Sequence, residues 1–71
     1  MSRDIVESFG ARIRRLREQQ GLSQIALAAK VGIENAYLSR VETGQKEPCL
    51  RVIGMLADGL GVSLRKIFWD L

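Results

Sequence analysis

Ser23 to Gly44, SQIALAAKVGIENAYLSRVETG, is the stretch that decides the fold. It predicts two short helices joined by a tight turn. Ser23 is a good N-cap, because its hydroxyl can accept a hydrogen bond from a free amide at the start of a helix. Gln24 to Lys30 contains no helix breaker and is rich in alanine and leucine. Val31-Gly32-Ile33 interrupts the pattern, and Gly32 can adopt the positive φ of a helix-ending turn. A second helix is predicted over about Glu34 to Glu42, stopping at Thr43-Gly44. Two helices across a short glycine-containing turn form the unit that lays its second helix in a DNA major groove.

At about 100° per residue, Glu34, Tyr37, Leu38 and Val41 share an arc of roughly 100° on that second helix. Asn35, Ala36, Ser39, Arg40 and Thr43 share an opposing arc of about 140°. The first arc is bulky and suits a core. The second is small apart from Asn35 and Arg40, and short neighbours let a helix approach base edges closely. Asn can bond both edge atoms of adenine, and Arg can fork onto guanine. A solvated polar face on an ordinary bundle helix has a similar composition, so the rest of the chain has to separate the two readings.

Seventy-one residues make one domain, 1–71, near the lower limit for a self-standing core. With 46% hydrophobic and 27% charged residues the chain is globular, and its net charge of +3 is compatible with a polyanionic partner. A single cysteine excludes an internal disulfide. Histidine is absent, no cluster of metal ligands occurs and no glycine-rich phosphate loop appears. Neither an enzyme nor a metal or cofactor site is therefore expected, and no small-molecule ligand is evident. No apolar run is long enough for a membrane span and no secretory leader is seen, which makes cytoplasmic the default location.

Apolar spacing is helical throughout, so the expected fold class is all-α: a compact five-helix bundle. Ile5, Phe9, Ile13 and Leu16 form the stripe of a first helix, from about Arg3 to Gln20, whose other faces carry Arg12, Arg14, Arg15 and Arg17. Such a run is usually solvated, but beside a DNA-binding unit some members could meet phosphates. Pro48 opens a fourth helix, about Cys49 to Leu60, with Leu50, Ile53, Leu56, Ala57 and Leu60 as its core stripe. Ser63 caps a short fifth helix with Leu64, Ile67, Phe68 and Leu71 on one side.

Taken together the pieces resemble the helix-turn-helix domains of the phage repressor and Cro type, the XRE-like family with a lambda-repressor-like fold. The resembling segments are Ile13 to Leu16 with Arg17, GLSQ at Gly21 to Gln24, LAAKVGI at Leu27 to Ile33, YLSRVETG at Tyr37 to Gly44, Pro48, and LADGLGVS at Leu56 to Ser63. The resemblance implies a domain that binds double-stranded operator DNA, usually as a homodimer. It implies that Asn35, Ala36, Ser39 and Arg40 face bases. Ser23, Gln24, Tyr37, Thr43, Gln45 and Lys46 would contact the phosphate backbone. Arg17 would form a structural ion pair with Glu42. The chain departs from the pattern at Glu34 and Cys49, where the family usually has a Ser or Thr cap, and at Ile25 and Ala26, which replace acidic residues. Gly54 and Gly59 also lie inside a helix, where each costs about 1 kcal/mol against Ala if simply exposed.

The tail is the expected partner surface. Trp69 lies off the stripe of its helix, and Val52, Met55 and Gly59 form a second weakly apolar strip. Val52, Met55, Trp69 and Leu71 are therefore the expected dimer interface, the alternative being that Trp69 folds back onto its own core. Cys49, near a helix start, is either a redox sensor or a small substitute cap. The function these features imply is a transcription regulator that binds a short palindromic operator as a dimer, resembling controller proteins of restriction–modification systems and small phage repressors. The competing class is a protein-interaction module such as an antitoxin.

Overall fold

The computed structural model describes residues 4–71. Its helices are α1 (Ile5–Gln19), α2 (Gln24–Val31), α3 (Asn35–Glu42), α4 (Leu50–Leu60) and α5 (Leu64–Phe68), and no strand occurs among the described residues. Each start has a local cause. The Asp4 carboxylate accepts from the Val6 amide at 2.7 Å, so α1 begins after Asp4; the expected start at Arg3 lies outside the described residues. Ser23 accepts from the Ala26 amide at 3.0 Å, and Ser63 from the Lys66 amide at 3.0 Å. α3 and α4 begin one residue later than the sequence predicts, because Glu34 and Cys49 hold extended cap conformations. Neither side chain caps its helix. Gly32 (φ +82°) ends α2 in the left-handed region, where a Cβ would be strained.

Two glycines set how closely the helices meet. A Cβ on Gly10 would run into the carbonyl oxygen of Val41, so the bare backbone lets α1 lie against α3. A Cβ on Gly59 would strike the Val31 side chain, so the bare backbone there lets α4 pack onto the side chains of α2. Gly59 is thus a buried helix contact rather than part of a surface strip with Val52 and Met55. The core is Phe9, Ile13, Leu16, Leu27, Ala28, Leu38, Val41, Leu56, Ala57, Leu60 and Ile67.

The predicted stripes run past the ends of that core. Leu50 is 78% exposed and Ile5 54% exposed, because the first turns of α4 and α1 overhang their neighbours. Leu64 and Phe68 are also exposed, although the Phe68 ring lies 5.4 Å from that of Phe9. Periodicity identifies the inward face of a helix; it does not say how far the neighbouring helix extends.

Candidate nucleic-acid interface

α3 is fixed from below by charge. Arg17 Nε donates to Glu42 Oε2 at 2.7 Å and Arg17 Nη2 to Glu42 Oε1 at 3.0 Å, a bidentate pair with both side chains buried. Gln24 Nε2 donates to the same Oε1 at 2.9 Å, and Arg17 Nη1 donates to the Leu22 carbonyl at 2.8 Å. Glu42 therefore ties the end of α3 to α1 and to the start of α2. The bond to Glu42 raises the Arg17 pKa; burial opposes it, and the Glu42 and Glu18 charges add to it.

With Leu38, Val41 and Glu42 buried, the outer face of α3 presents Asn35, Ala36 and Arg40, all exposed, and Ser39, half-buried. The expected base-facing residues are thus brought together on one side. Tyr37 is half-buried and points toward α4, where it lines a shallow groove with Ile33, Glu34 and Val52. The first amides of α3 have no side-chain cap, so they are open to an anion. Ser23 spends its oxygen on the Ala26 amide, which leaves its hydroxyl hydrogen free to donate. Gln45 and Lys46 are exposed, and their amides return to the Arg40 carbonyl at 2.8 and 3.2 Å, folding the loop against the end of α3.

Two of the expected phosphate contacts, Gln24 and Thr43, differ from that simple picture. One amide hydrogen of Gln24 is committed to Glu42. The Thr43 hydroxyl donates to the Ser39 and Arg40 carbonyls at 3.0 and 3.3 Å, leaving it no hydrogen for a phosphate oxygen in this rotamer. The arginines of α1 are also largely occupied within the fold. Arg17 is in the buried pair, Arg14 pairs with Glu18 at 3.1 Å, and Arg12 Nη1 donates to the Lys66 and Ile67 carbonyls at 3.0 and 3.1 Å, closing the end of α5.

The expected dimer residues do not form one patch. Met55 lines a groove with Lys30, Val31 and Asp58, and Val52 lines the groove beside Tyr37. Leu71 lies against Ser8 and Arg12, and Trp69, 69% exposed, borders Arg15 and Arg65. They are dispersed because Val52 and Met55 look toward α2 and α3 whereas the tail lies across α1. The sequence reading missed a different apolar surface around a cleft of about 180 Å³ lined by Ile5, Phe9, Pro48, Ile53 and Phe68. Its only signal was the overlong apolar stripes. Gln24 beneath Glu42 and Arg12 at the end of α5 were missed because nothing local marks contacts over such separations. Cys49 is exposed.

A helix-turn-helix family model matches residues 13–67, which takes in α2, the turn and α3 in full. The chain belongs to the helix-turn-helix family. The control protein C.MunI of a Mycoplasma species is 33% identical over 69 residues, covering 96% of this chain and 93% of that protein. The crystal structure of the restriction-modification controller protein C.AhdI from Aeromonas hydrophila is similar at a TM-score of 0.88 and 39% identity, over 90% of this chain and 97% of that one. The clp gene regulator ClgR from Corynebacterium glutamicum is similar at a TM-score of 0.89 and 28% identity, over 92% and 83% of the two chains. The family is one of DNA-binding transcription regulators, not of enzymes. Among the described residues no helix is long and apolar enough to cross a membrane, and no group of side chains is placed to hold a metal.

Proposed function

We propose that this single-domain protein is a sequence-specific regulator that binds a short palindromic operator as a homodimer, with α3 in the major groove of double-stranded DNA. One observation carries the reading: Asn35, Ala36, Ser39 and Arg40 share the solvent side of a helix whose first amides are uncapped and whose far end is locked to the bundle. Arg40 takes guanine, Asn35 takes adenine or a nearby phosphate, and the small residues between them allow the approach. Ser23, Gln24, Tyr37, Gln45 and Lys46 flank the helix and meet phosphates, Thr43 only after its hydroxyl turns from the Ser39 carbonyl.

A single recognition helix reads too few base pairs to select one operator in a genome, so two copies are needed on half-sites about 34 Å apart. The cleft lined by Ile5, Val6, Phe9, Pro48, Ile53 and Phe68, with Glu47 beside them, supports that pairing better than the dispersed Val52, Met55, Trp69 and Leu71, because its apolar residues are gathered in one place. The near full-length similarity to two proteins named as controllers supports a role in restriction–modification control. A gel-shift on the DNA upstream of the chain's own gene tests the proposal. Specific binding is expected, weakened roughly 5- to 150-fold by Arg40→Ala, the equivalent of about 1–3 kcal/mol. Equal loss on random DNA would reduce Arg40 to a backbone contact.

A further inference from the structure

Away from α3 the bundle carries a second, strongly basic surface. Arg12 and Arg15 of α1 face Ser63, Arg65, Lys66 and Trp69 across a groove of about 290 Å³. Arg12 and Arg15 also border the adjoining groove beside Ser8 and Leu71, so they form a ridge between the two. No Asp or Glu lines either groove. The ion pairs among the described residues are Arg14–Glu18 and Arg17–Glu42, which leaves all four cations of the groove without a carboxylate. Arg12 is pinned to the wall by the Lys66 and Ile67 carbonyls, and Trp69 stands 69% exposed beside it.

This groove is turned away from the proposed DNA. Gly10 and Arg17 mark the side of α1 that meets α3. At about 100° per residue, Arg12 and Arg15 lie roughly 140–160° around the helix from them. A duplex seated on α3 therefore leaves the groove open to solvent. A cleft of this size admits one or two side chains, whereas a duplex is too wide to enter it. Guanidinium groups match carboxylates in bidentate geometry, and a Trp beside Arg is the composition of an interface anchor.

We propose that this groove docks an acidic peptide segment of a partner protein, whose carboxylates meet Arg12, Arg15, Arg65 and Lys66 and whose apolar side chain lies on Trp69. Trp69 is the only tryptophan in the chain, so its emission reports on the groove directly. The full-length protein is titrated at low salt with a short fluorescein-labelled peptide of alternating Glu and Leu, and separately with its Lys-Leu counterpart and with oligouridine. Saturable binding of the acidic peptide is expected, with a blue shift of Trp69 emission. The Arg15→Gln/Arg65→Gln variant should bind it at least about tenfold more weakly. Both positions are exposed, so helical circular dichroism should be unchanged, and random-sequence duplex should still bind through α3. Absence of saturable binding, equal affinity of the variant and the parent, or equal binding of the Lys-Leu peptide would each overturn the proposal. Tighter binding of oligouridine in the same groove would overturn it in favour of single-stranded nucleic acid.

Discussion

Replacing Glu42 by Gln changes one atom in a site where three helices meet, and its effect can be worked from the bonds. The carboxylate accepts from Arg17 Nε, Arg17 Nη2 and Gln24 Nε2, at 2.7, 3.0 and 2.9 Å. An amide supplies one oxygen in place of two. If that oxygen keeps the bonds to Gln24 and Arg17 Nη2, the new NH2 group faces Arg17 Nε, donor against donor; the flipped amide puts the same conflict at Nη2 and Gln24. The Arg17 charge stays behind with its side chain 9% exposed. Stranding one partner of a buried pair costs about 3–5 kcal/mol, against about 0–1 for an exposed pair. A domain of this length has roughly 4–11 kcal/mol in total. Glu42→Gln should therefore remove about a quarter or more of the stability and lower the melting temperature by roughly 4–8 °C for each kcal/mol lost. Urea unfolding followed by far-UV circular dichroism measures it. A companion variant, Arg17→Met/Glu42→Leu, should recover much of the loss, because an apolar pair of similar volume leaves no stranded charge. A midpoint for Glu42→Gln within about 1 kcal/mol of the parent would mean that solvent already screens the pair and that the burial argument is wrong.

The other expectations are simpler. Gly54→Ala should raise stability by about 0.5–1 kcal/mol, since an added Cβ there meets nothing, whereas Gly59→Ala should lower it by roughly 1–3 kcal/mol against Val31; thermal melts of both decide. Lys46→Ala should weaken binding to every DNA sequence and reduce the slope of log affinity against log salt by about one, and an unchanged slope would remove Lys46 from the interface. The raised Arg17 pKa makes its contribution complete below the ordinary guanidinium value and lost only as pH climbs through the higher folded-state value. With no histidine in the chain, the melting temperature should be level between about pH 6 and 8, and a marked fall across that range would show that another titrating group supports the fold. Ile5→Lys/Phe68→Lys should lower the dimer population in sedimentation while preserving helicity; if Trp69→Ala does so instead, the tail rather than the Ile5–Ile53–Phe68 cleft holds two copies together.

The helix-turn-helix was legible because its signals are local. Ser23, Gly32 and the stop at Gly44 act within a few residues of where they stand, and the helical period between them sorts α3 into an inner and an outer face. Helix starts at Glu34 and Cys49 were off by one residue because the cap position is set by backbone dihedrals, which any residue can adopt when its side chain makes no bond. What the sequence hid was non-local. Gln24 has the same amide whether it meets a phosphate or a carboxylate 18 residues away, and Arg12 has the same charge whether it is solvated or bonded to α5. Leu50 has the right phase for the core and lies beyond its edge.

The placement of the buried charges has a mechanical consequence for recognition. α3 is only eight residues long, too short to be stable without its neighbours. Its final turn is held by two devices that tolerate little movement: the backbone contact at Gly10, which a single methyl group would break, and the Glu42 bonds to Arg17 and Gln24. Its first turn has no side-chain cap, so its free amides would find a partner in a phosphate oxygen at the moment of binding. In the proposed reading α3 is oriented by its far end and would be completed by its ligand at the near end. If α3 enters the groove as proposed, changes beneath Glu42 would act on affinity through the angle at which Asn35 and Arg40 meet it, although none of the residues changed would touch a base.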